Sequence, residues 1–297
     1  MRWIIEDVHS DNGDKELADA VRAAGHDVTW LTPLRDIPIE RLPAPALFHG
    51  SIEKAIEIKQ ARPDITLWFD QEQFKCTNYF PAVKDLLLNA EYTALTVAEL
   101  KDQQWDIYRK YAQDTKIFVR PDSGIKTFTG CLLDLQDFDR FWKNKVMCLA
   151  KDNDIVLVSS PKDILGEWRF ICSTEGISAV SCYKYQGNQT YIPSAPKEVT
   201  EFCLKVLERP LNLGPMFLLD IAQSKEGKLG LVEANAFSTG ALYAADKTKI
   251  ISTAGHLFSS IMIDDLPGKK NSDDRGVLRG QNDCPGQGMG PSGEIGL

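Results

Sequence analysis

The sequence predicts an α+β protein in which a small parallel-sheet α/β unit comes first and a larger part built on antiparallel strands follows. Strand-like and helix-like segments alternate up to about residue 95, as they must where parallel strands are joined by crossovers. From Ile155 onward strand runs dominate, and short turns join two pairs of them into hairpins.

The elements follow in order. Trp3-Ile4-Ile5 reads as a short buried strand, and Asp14–Ala24 as a helix with Leu17, Ala20, Val21 and Ala24 on one face and Gly25 as its stop. Asp27–Leu31 and Ala46–His49 are strands; a Gly50-Ser51 turn then opens a helix over Ile52–Arg62, and Thr66–Phe69 is the next strand. A single helix over Val97–Ala112 leads into the strand Lys116–Arg120, a loop from Pro121 to Gly130, and a short helix over Phe138–Lys145. Strands follow at Ile155–Ser159, Glu167–Cys172, Ile177–Tyr185, Met216–Ile221 and Leu229–Glu233, with a helix over Lys197–Leu207 between the third and fourth. The chain thus divides into an α/β unit (1–95), two α+β subdomains (96–160 and 161–268) and a tail (269–297). The tail holds seven glycines and two prolines with almost no apolar periodicity, too little to offset chain entropy, and is expected to be disordered.

Composition narrows the function. Of 297 residues, 43% are hydrophobic and 26% charged, as in an ordinary soluble protein. A net charge of -8 lacks the basic footprint of a nucleic-acid binder, while leaving room for a local basic pocket. No apolar run approaches the roughly 18 residues of a membrane span. Glu6 and Asp7 follow the first strand at once, so no signal peptide is expected. The seven cysteines form no C-x-x-C and match no zinc spacing, and reduced core thiols in a cytoplasmic protein are the expectation.

The chemistry is concentrated in three places. The first is the hairpin whose strands join through Ser224-Lys-Glu-Gly-Lys228. With Glu226-Gly227 as a two-residue turn, Lys225 faces Lys228, and counting back sets Asp220 opposite Glu233 on one side of the ribbon. Asn235 shares that side because side chains alternate along a strand. Two carboxylates and an amide so placed suit Mg2+, which prefers hard oxygen ligands and substrate phosphates. Exposed strand-end acids would give the same pattern, but acids ending the runs Met-Phe-Leu-Leu and Leu-Gly-Leu-Val are costly to bury without a cation. A three-residue turn would put the two acids on opposite sides.

The second place is the hairpin Glu167–Cys172 and Ile177–Lys184. An even turn centred on Thr174-Glu175 places Glu167 opposite Cys182 and Arg169 opposite Val180. One face then carries Glu167, Arg169 and Lys184, the other Trp168, Phe170, Ala179 and Tyr183. A nucleotide site and a solvated sheet face both produce this pattern. The third is the strand end at Arg120 with the small-residue loop that carries Lys126; backbone amides and cations of such loops cradle phosphate, although Gly/Ser turns are also common without it. A Walker A sequence is absent, and no G-x-G-x-x-G follows the first strand, which argues against a Rossmann dinucleotide site. The histidines are scattered at His9, His26, His49 and His256 and assemble no general base; His9 and His49 lie near strand carboxyl ends, where open α/β sheets bind ligands.

Taken in this order, the three elements resemble the ATP-grasp superfamily from about Thr96 to Leu266, with an α/β unit of the kind that precedes that fold. Asp220 with Glu233-x-Asn235 is similar to the magnesium ligands of D-alanine–D-alanine ligases and their relatives. The resemblance implies that Lys184 reaches the terminal phosphate, that Glu167 holds the ribose, and that Val158, Ser159 and Ser160 form the hinge beside adenine. Arg120 stands where the family usually has its first phosphate-binding lysine, as in a divergent clade of phages and bacteria, and Lys126 lies in the flexible loop. Leu218 stands where many relatives carry an arginine, a role open here to Arg169, and Ser159-Ser160 replaces the usual acidic hinge. Asn235-Ala-Phe-Ser-Thr-Gly240 resembles the loop that binds substrate groups.

That resemblance implies ATP and Mg2+ as cofactors and an ATP-dependent carboxylate–amine ligase that forms an amide through an acyl phosphate. Its substrates would be a small-molecule or peptide carboxylate and an amine; neither nucleic acid nor membrane is expected as a partner, and a homodimer is compatible with the sequence. A phosphotransferase on the same fold and a non-catalytic nucleotide-binding module are the alternatives.

Overall fold

The computed structural model describes residues 1–8, 13–34, 37–144 and 148–264, with side chains as far as Ile261. The tail (269–297), Cys284 and His9 lie outside the described residues.

The first sheet is parallel, as the alternation requires. It comprises β1 (Arg2–Glu6), α1 (Gly13–Ala23), β2 (Asp27–Leu31), β3 (Ala46–His49), α2 (Ile52–Ala61) and β4 (Ile65–Thr66), with strand order β2-β1-β3-β4. Gly25 ends the first helix at φ +76, where a side chain would be strained. The Ser51 hydroxyl caps α2 by accepting from the Lys54 amide at 3.1 Å. The predicted strand Thr66–Phe69 stops at Thr66. The backbone of Trp68 is committed elsewhere: its amide donates to Ser238 Oγ at 3.0 Å, and its carbonyl accepts from the Ser238 amide at 3.4 Å.

A short helix α3 (Cys76–Tyr79) and a 3-10 stretch (Phe80–Leu86) lead to the second sheet. It is built from β5 (Tyr92–Thr96), α4 (Val97–Asp102), α5 (Gln104–Tyr111), β6 (Lys116–Pro121), β7 (Cys131–Asp134), α6 (Phe138–Lys143) and β8 (Ile155–Ser159), in the antiparallel order β5-β8-β6-β7. The expected single helix over Val97–Ala112 is two helices. Thr96 and Glu99 form a capping box at its start, and the chain breaks at Gln103 (φ -97, ψ 14). Val97, Leu100, Ile107, Tyr108 and Tyr111 are all buried at spacings one continuous helix would also bury, so apolar periodicity does not register the break.

The third sheet holds β9 (Ile164–Ser173), β10 (Gly176–Tyr185), β11 (Asn188–Ile192), α7 (Lys197–Leu207), β12 (Met216–Ser224) and β13 (Leu229–Ala236), in the antiparallel order β11-β10-β9-β12-β13. The last helix is α8 (Lys247–Asp264). Among the described residues no helix is long and apolar enough to cross a membrane, and the six cysteines there form no disulfide.

Two cores support these layers. One runs from the parallel sheet through Ile4, Phe48, Tyr79 and Phe80 into Trp168, Phe170, Leu219 and Leu231 of the third sheet. The other lies under the second sheet, where Phe128, Phe138, Phe141 and Trp142 meet edge to face. The cleft between the second and third sheets is bordered by both.

Candidate functional site

Asp220 pairs with Glu233 across β12 and β13, by a route that turn counting does not anticipate. The Ser224 amide donates to the Lys228 carbonyl and the Gly227 amide to the Ser224 carbonyl, both at 2.9 Å, so the loop is Lys225-Glu226-Gly227. It has three residues rather than two, with Gly227 at φ +86. Near the loop Gln223 pairs with Leu229 and Ile221 with Leu231, an offset that would set Asp220 against Val232. The register then shifts between Ile221 and Asp220, leaving Val232 as the extra residue of a β-bulge. The bulge cancels the odd loop, and both acids point to one side.

Each acid is held by cations. Arg169 forks onto Asp220, with Nε donating to Oδ1 at 2.8 Å and Nη2 to Oδ2 at 2.7 Å. The two residues are neighbours because β9 lies beside β12 and pairs Arg169 with Asp220. Burial pushes the Asp220 carboxyl up, and the Arg169 fork opposes it. Glu233 Oε2 accepts from Arg120 Nη2 at 2.5 Å, while Oε1 accepts from Lys126 Nζ at 3.1 Å and from Asn235 Nδ2 at 3.0 Å. Burial would push Glu233 up, but Lys126 and Arg120 hold it well below the usual carboxylate range. Arg120 also donates through Nη1 to the Val232 carbonyl at 2.5 Å, which uses the bulge residue directly.

The neighbouring hairpin corrects an expectation. Register shifts at Ser178 and Tyr183 set Arg169 opposite Ser181 rather than Val180, and Glu167 opposite Lys184 rather than Cys182. Lys184 Nζ lies 3.0 Å from Glu167 Oε1. The bulge also brings Tyr183 onto the polar face. Its hydroxyl, which burial keeps protonated, donates to Glu167 Oε2 at 2.8 Å, and its ring lies 5.6 Å from the Arg169 guanidinium. Tyr243 stacks on Tyr183 at 4.9 Å and lies 5.0 Å from the same guanidinium.

These groups line one cavity of about 630 Å3 between the second and third sheets. Arg120, Lys126, Ser159, Glu167, Arg169, Lys184, Asp220, Glu233 and Asn235 all border it. Val158 and Ser160 do not: Val158 is fully buried in the second core, between Thr93 and Val119 in the ladder. His49 does not border it either; it is buried against Phe237 at 5.4 Å, with Nε2 3.8 Å from Asp14. Of the segment after the acids, Thr239 and Gly240 border the cleft, whereas Phe237 is buried against Trp3 and Trp68. Sequence reasoning missed Lys162, Tyr243 and the apolar wall of Phe80, Tyr92, Leu157 and Leu231. Lys162 alone had a local signal, as a cation just after Ser159-Ser160-Pro161. The lining cations Arg120, Lys126, Lys162, Arg169 and Lys184 outnumber the acids Glu167, Asp220 and Glu233, although the whole chain is acidic. Such a cleft attracts a polyanion.

The donor set fits a hard divalent cation. Asp220 Oδ1 and Glu233 Oε2 each accept one hydrogen bond from an arginine, and a carboxylate oxygen has two lone-pair directions. Asn235 sits between the two acids, its Nδ2 donating to Asp220 Oδ2 at 3.3 Å and to Glu233 Oε1 at 3.0 Å; with its amide turned over it would offer a neutral oxygen at the same place. Arg120 Nε is buried with no hydrogen-bond partner, a donor that a phosphate oxygen would satisfy.

Two antiparallel sheets that clasp a cation-lined cleft define the class: this is the ATP-grasp fold. A family model described as ATP-grasp domain, R2K clade family 2, matches residues 94–253, more than half of the chain, and the chain belongs to that family. Solved structures share the fold. D-cycloserine synthetase DcsG is similar with a TM-score of 0.58 at 13% identity, over 86% of this chain and 99% of that one. D-alanine–D-alanine ligase from Bacillus anthracis, solved in complex with ATP, is similar with a TM-score of 0.54 at 12% identity, over 89% and 98%. A RimK domain ATP-grasp protein from Sphaerobacter thermophilus gives 0.52 at 12% identity, over 89% and 98%. No curated protein sequence matches this chain.

Proposed function

We propose that the protein is an ATP-dependent carboxylate–amine ligase that forms an amide bond through an acyl phosphate. The observation that carries this reading is the convergence of Arg120, Lys126 and Arg169 on Asp220 and Glu233, beside Asn235, in one cavity that the Lys184–Glu167 pair also lines. The D-alanine–D-alanine ligase with this fold holds ATP, and ligases recur among the similar structures.

In this reading the apolar wall of Phe80, Leu157 and Leu231 takes the base, beside the hinge that follows Ser159, and Glu167 accepts from the ribose hydroxyls. Arg120, Lys126 and Lys184 bind the phosphates. Asp220, Glu233 and Asn235 would hold Mg2+, which supplies charge neutralisation when bound. The carboxylate oxygen of the first substrate attacks the γ-phosphorus, and ADP leaves. The amine then attacks the acyl carbon, the carbon–oxygen bond to phosphate breaks, and the nitrogen gives up a proton. Arg169, already fixed by Asp220 and the Ala241 carbonyl, keeps N–H donors for the charge that develops on the acyl phosphate. Positioning and charge do the chemistry, and no side-chain nucleophile is needed.

The test is ADP release in a mixture of amino acids and peptides, with mass spectrometry of the products. Release that requires both a carboxylate and an amine, with a condensation product, is expected. Stoichiometric phosphoester formation, or absence of ATP binding, would refute the ligase reading.

A further inference from the structure

We propose that Glu233 makes this cleft discriminate against nucleotide that arrives without a divalent cation. The inference rests on the reading of the cleft as a nucleotide site. Glu233 occupies the two cations best placed for phosphate: its Oε2 accepts from Arg120 at 2.5 Å and its Oε1 from Lys126 at 3.1 Å. The contacts are sheltered, with Glu233 20% and Arg120 12% exposed.

A polyphosphate entering alone reaches Arg120 and Lys126 only by taking them from Glu233. That strands a carboxylate beside the phosphate's own negative charge, in a cleft where water screens poorly. Arg169 offers no relief, since it is committed to both oxygens of Asp220, and Asn235 contributes only a neutral amide. A divalent cation entering alone meets the opposite obstacle, because a guanidinium and an ammonium already sit on Glu233. Cation and phosphates together let every group exchange partners without stranding a charge. Glu233 passes from Arg120 and Lys126 to the metal, and the two side chains pass to phosphate oxygens.

The geometry permits the exchange. Arg120 can keep its Nη1 bond to the Val232 carbonyl and its place 5.7 Å from the Phe80 ring while Nη2 changes partner. Lys126 is 43% exposed and sits in a loop between Pro121 and Cys131, so its ammonium is free to swing.

A counter-intuitive sign follows: neutralising a residue that holds the metal should strengthen the binding of metal-free ATP. The experiment is calorimetric titration of ATP into the full-length protein, in Mg2+ and in EDTA, for the wild type, Glu233→Gln and Glu233→Ala. The wild type is expected to bind ATP far more tightly in Mg2+, and Mn2+ alone should not bind measurably. In EDTA, Glu233→Gln should bind ATP about 5- to 30-fold more tightly than the wild type, the factor that one lost charge pair represents. The advantage conferred by Mg2+ should shrink to a few-fold in that variant. Glu233→Ala carries the same expectation if the glutamine variant does not fold, as judged by circular dichroism. Unchanged or weaker binding of metal-free ATP in the folded variants overturns the proposal. A wild type that binds ATP equally in Mg2+ and EDTA overturns it while leaving the nucleotide site intact; a wild type that binds no ATP overturns both.

Discussion

Replacing Asp220 by alanine should destabilise the protein severely, for a reason separate from any metal. Asp220 is 2% exposed and Arg169 8%, and two parallel bonds of 2.8 and 2.7 Å join them. Without the carboxylate, the guanidinium keeps only the Ala241 carbonyl at 3.1 Å and the faces of Tyr183 and Tyr243. Breaking a buried pair by removing one partner costs about 3–5 kcal/mol, mostly because the remaining charge is stranded. At roughly 2–4 °C per kcal/mol for a chain of this size, the melting temperature should fall by about 6–20 °C. The matched control is the apolar replacement Asp220→Leu with Arg169→Met, which removes both charges and should recover most of the loss. Urea unfolding of both variants and of Arg169→Met alone closes the cycle. A loss below about 1 kcal/mol for Asp220→Ala, or a double variant as unstable as the single, would show that the pair is not buried as described.

Two further outcomes follow from other features. Gly230→Ala would place a Cβ 2.4 Å from Leu88 Cα and 2.5 Å from Leu88 N, against backbone that also donates to the Leu231 carbonyl; a loss of about 1–3 kcal/mol in urea unfolding is expected, and a neutral result would contradict that approach. The third outcome concerns pH. A carboxylate held below its unfolded value of roughly 4.3 contributes stability above that value and loses it as the pH falls through its folded value. Glu233 is depressed in this way, so the stability gap between the wild type and Glu233→Gln should stay constant above about pH 5.5 and narrow below about pH 4. Unfolding titrations across that range check it, and a gap that widened in acid would reverse the sign of the argument.

Local pattern was enough to read the elements whose signals are local. Asp27–Leu31, Ala46–His49, Ile155–Ser159 and Lys197–Leu207 lie where periodicity places them. The strands Tyr92–Thr96 and Cys131–Asp134 escaped because each buries a single residue, and Asn188–Ile192 because it is an exposed edge whose alternation no core enforces. The site was legible as chemistry before it was legible as geometry. Asp220 and Glu233 are opposed as turn counting suggests, yet two departures from the count, a longer loop and a bulge, had to cancel. In the neighbouring hairpin the departures did not cancel, and Tyr183 changed sides. The Arg169–Asp220 fork depends on β9 lying beside β12, strands separated by a hairpin and a helix, and no local count reveals that neighbour.

The compensation between the Lys225–Gly227 loop and the bulge at Val232 bears on how this hairpin can change over evolutionary time. Hairpin tips are usually where insertions and deletions pass unnoticed. Here a single-residue length change at the tip would, if the bulge stayed, rotate the acid-bearing half of β13 by one side and withdraw the Val232 carbonyl from Arg120. Loop length and bulge should therefore change together. Homologues with a shorter tip should have a straight strand at this point, and an alignment that places its gap at the tip alone will set the wrong residue opposite Asp220.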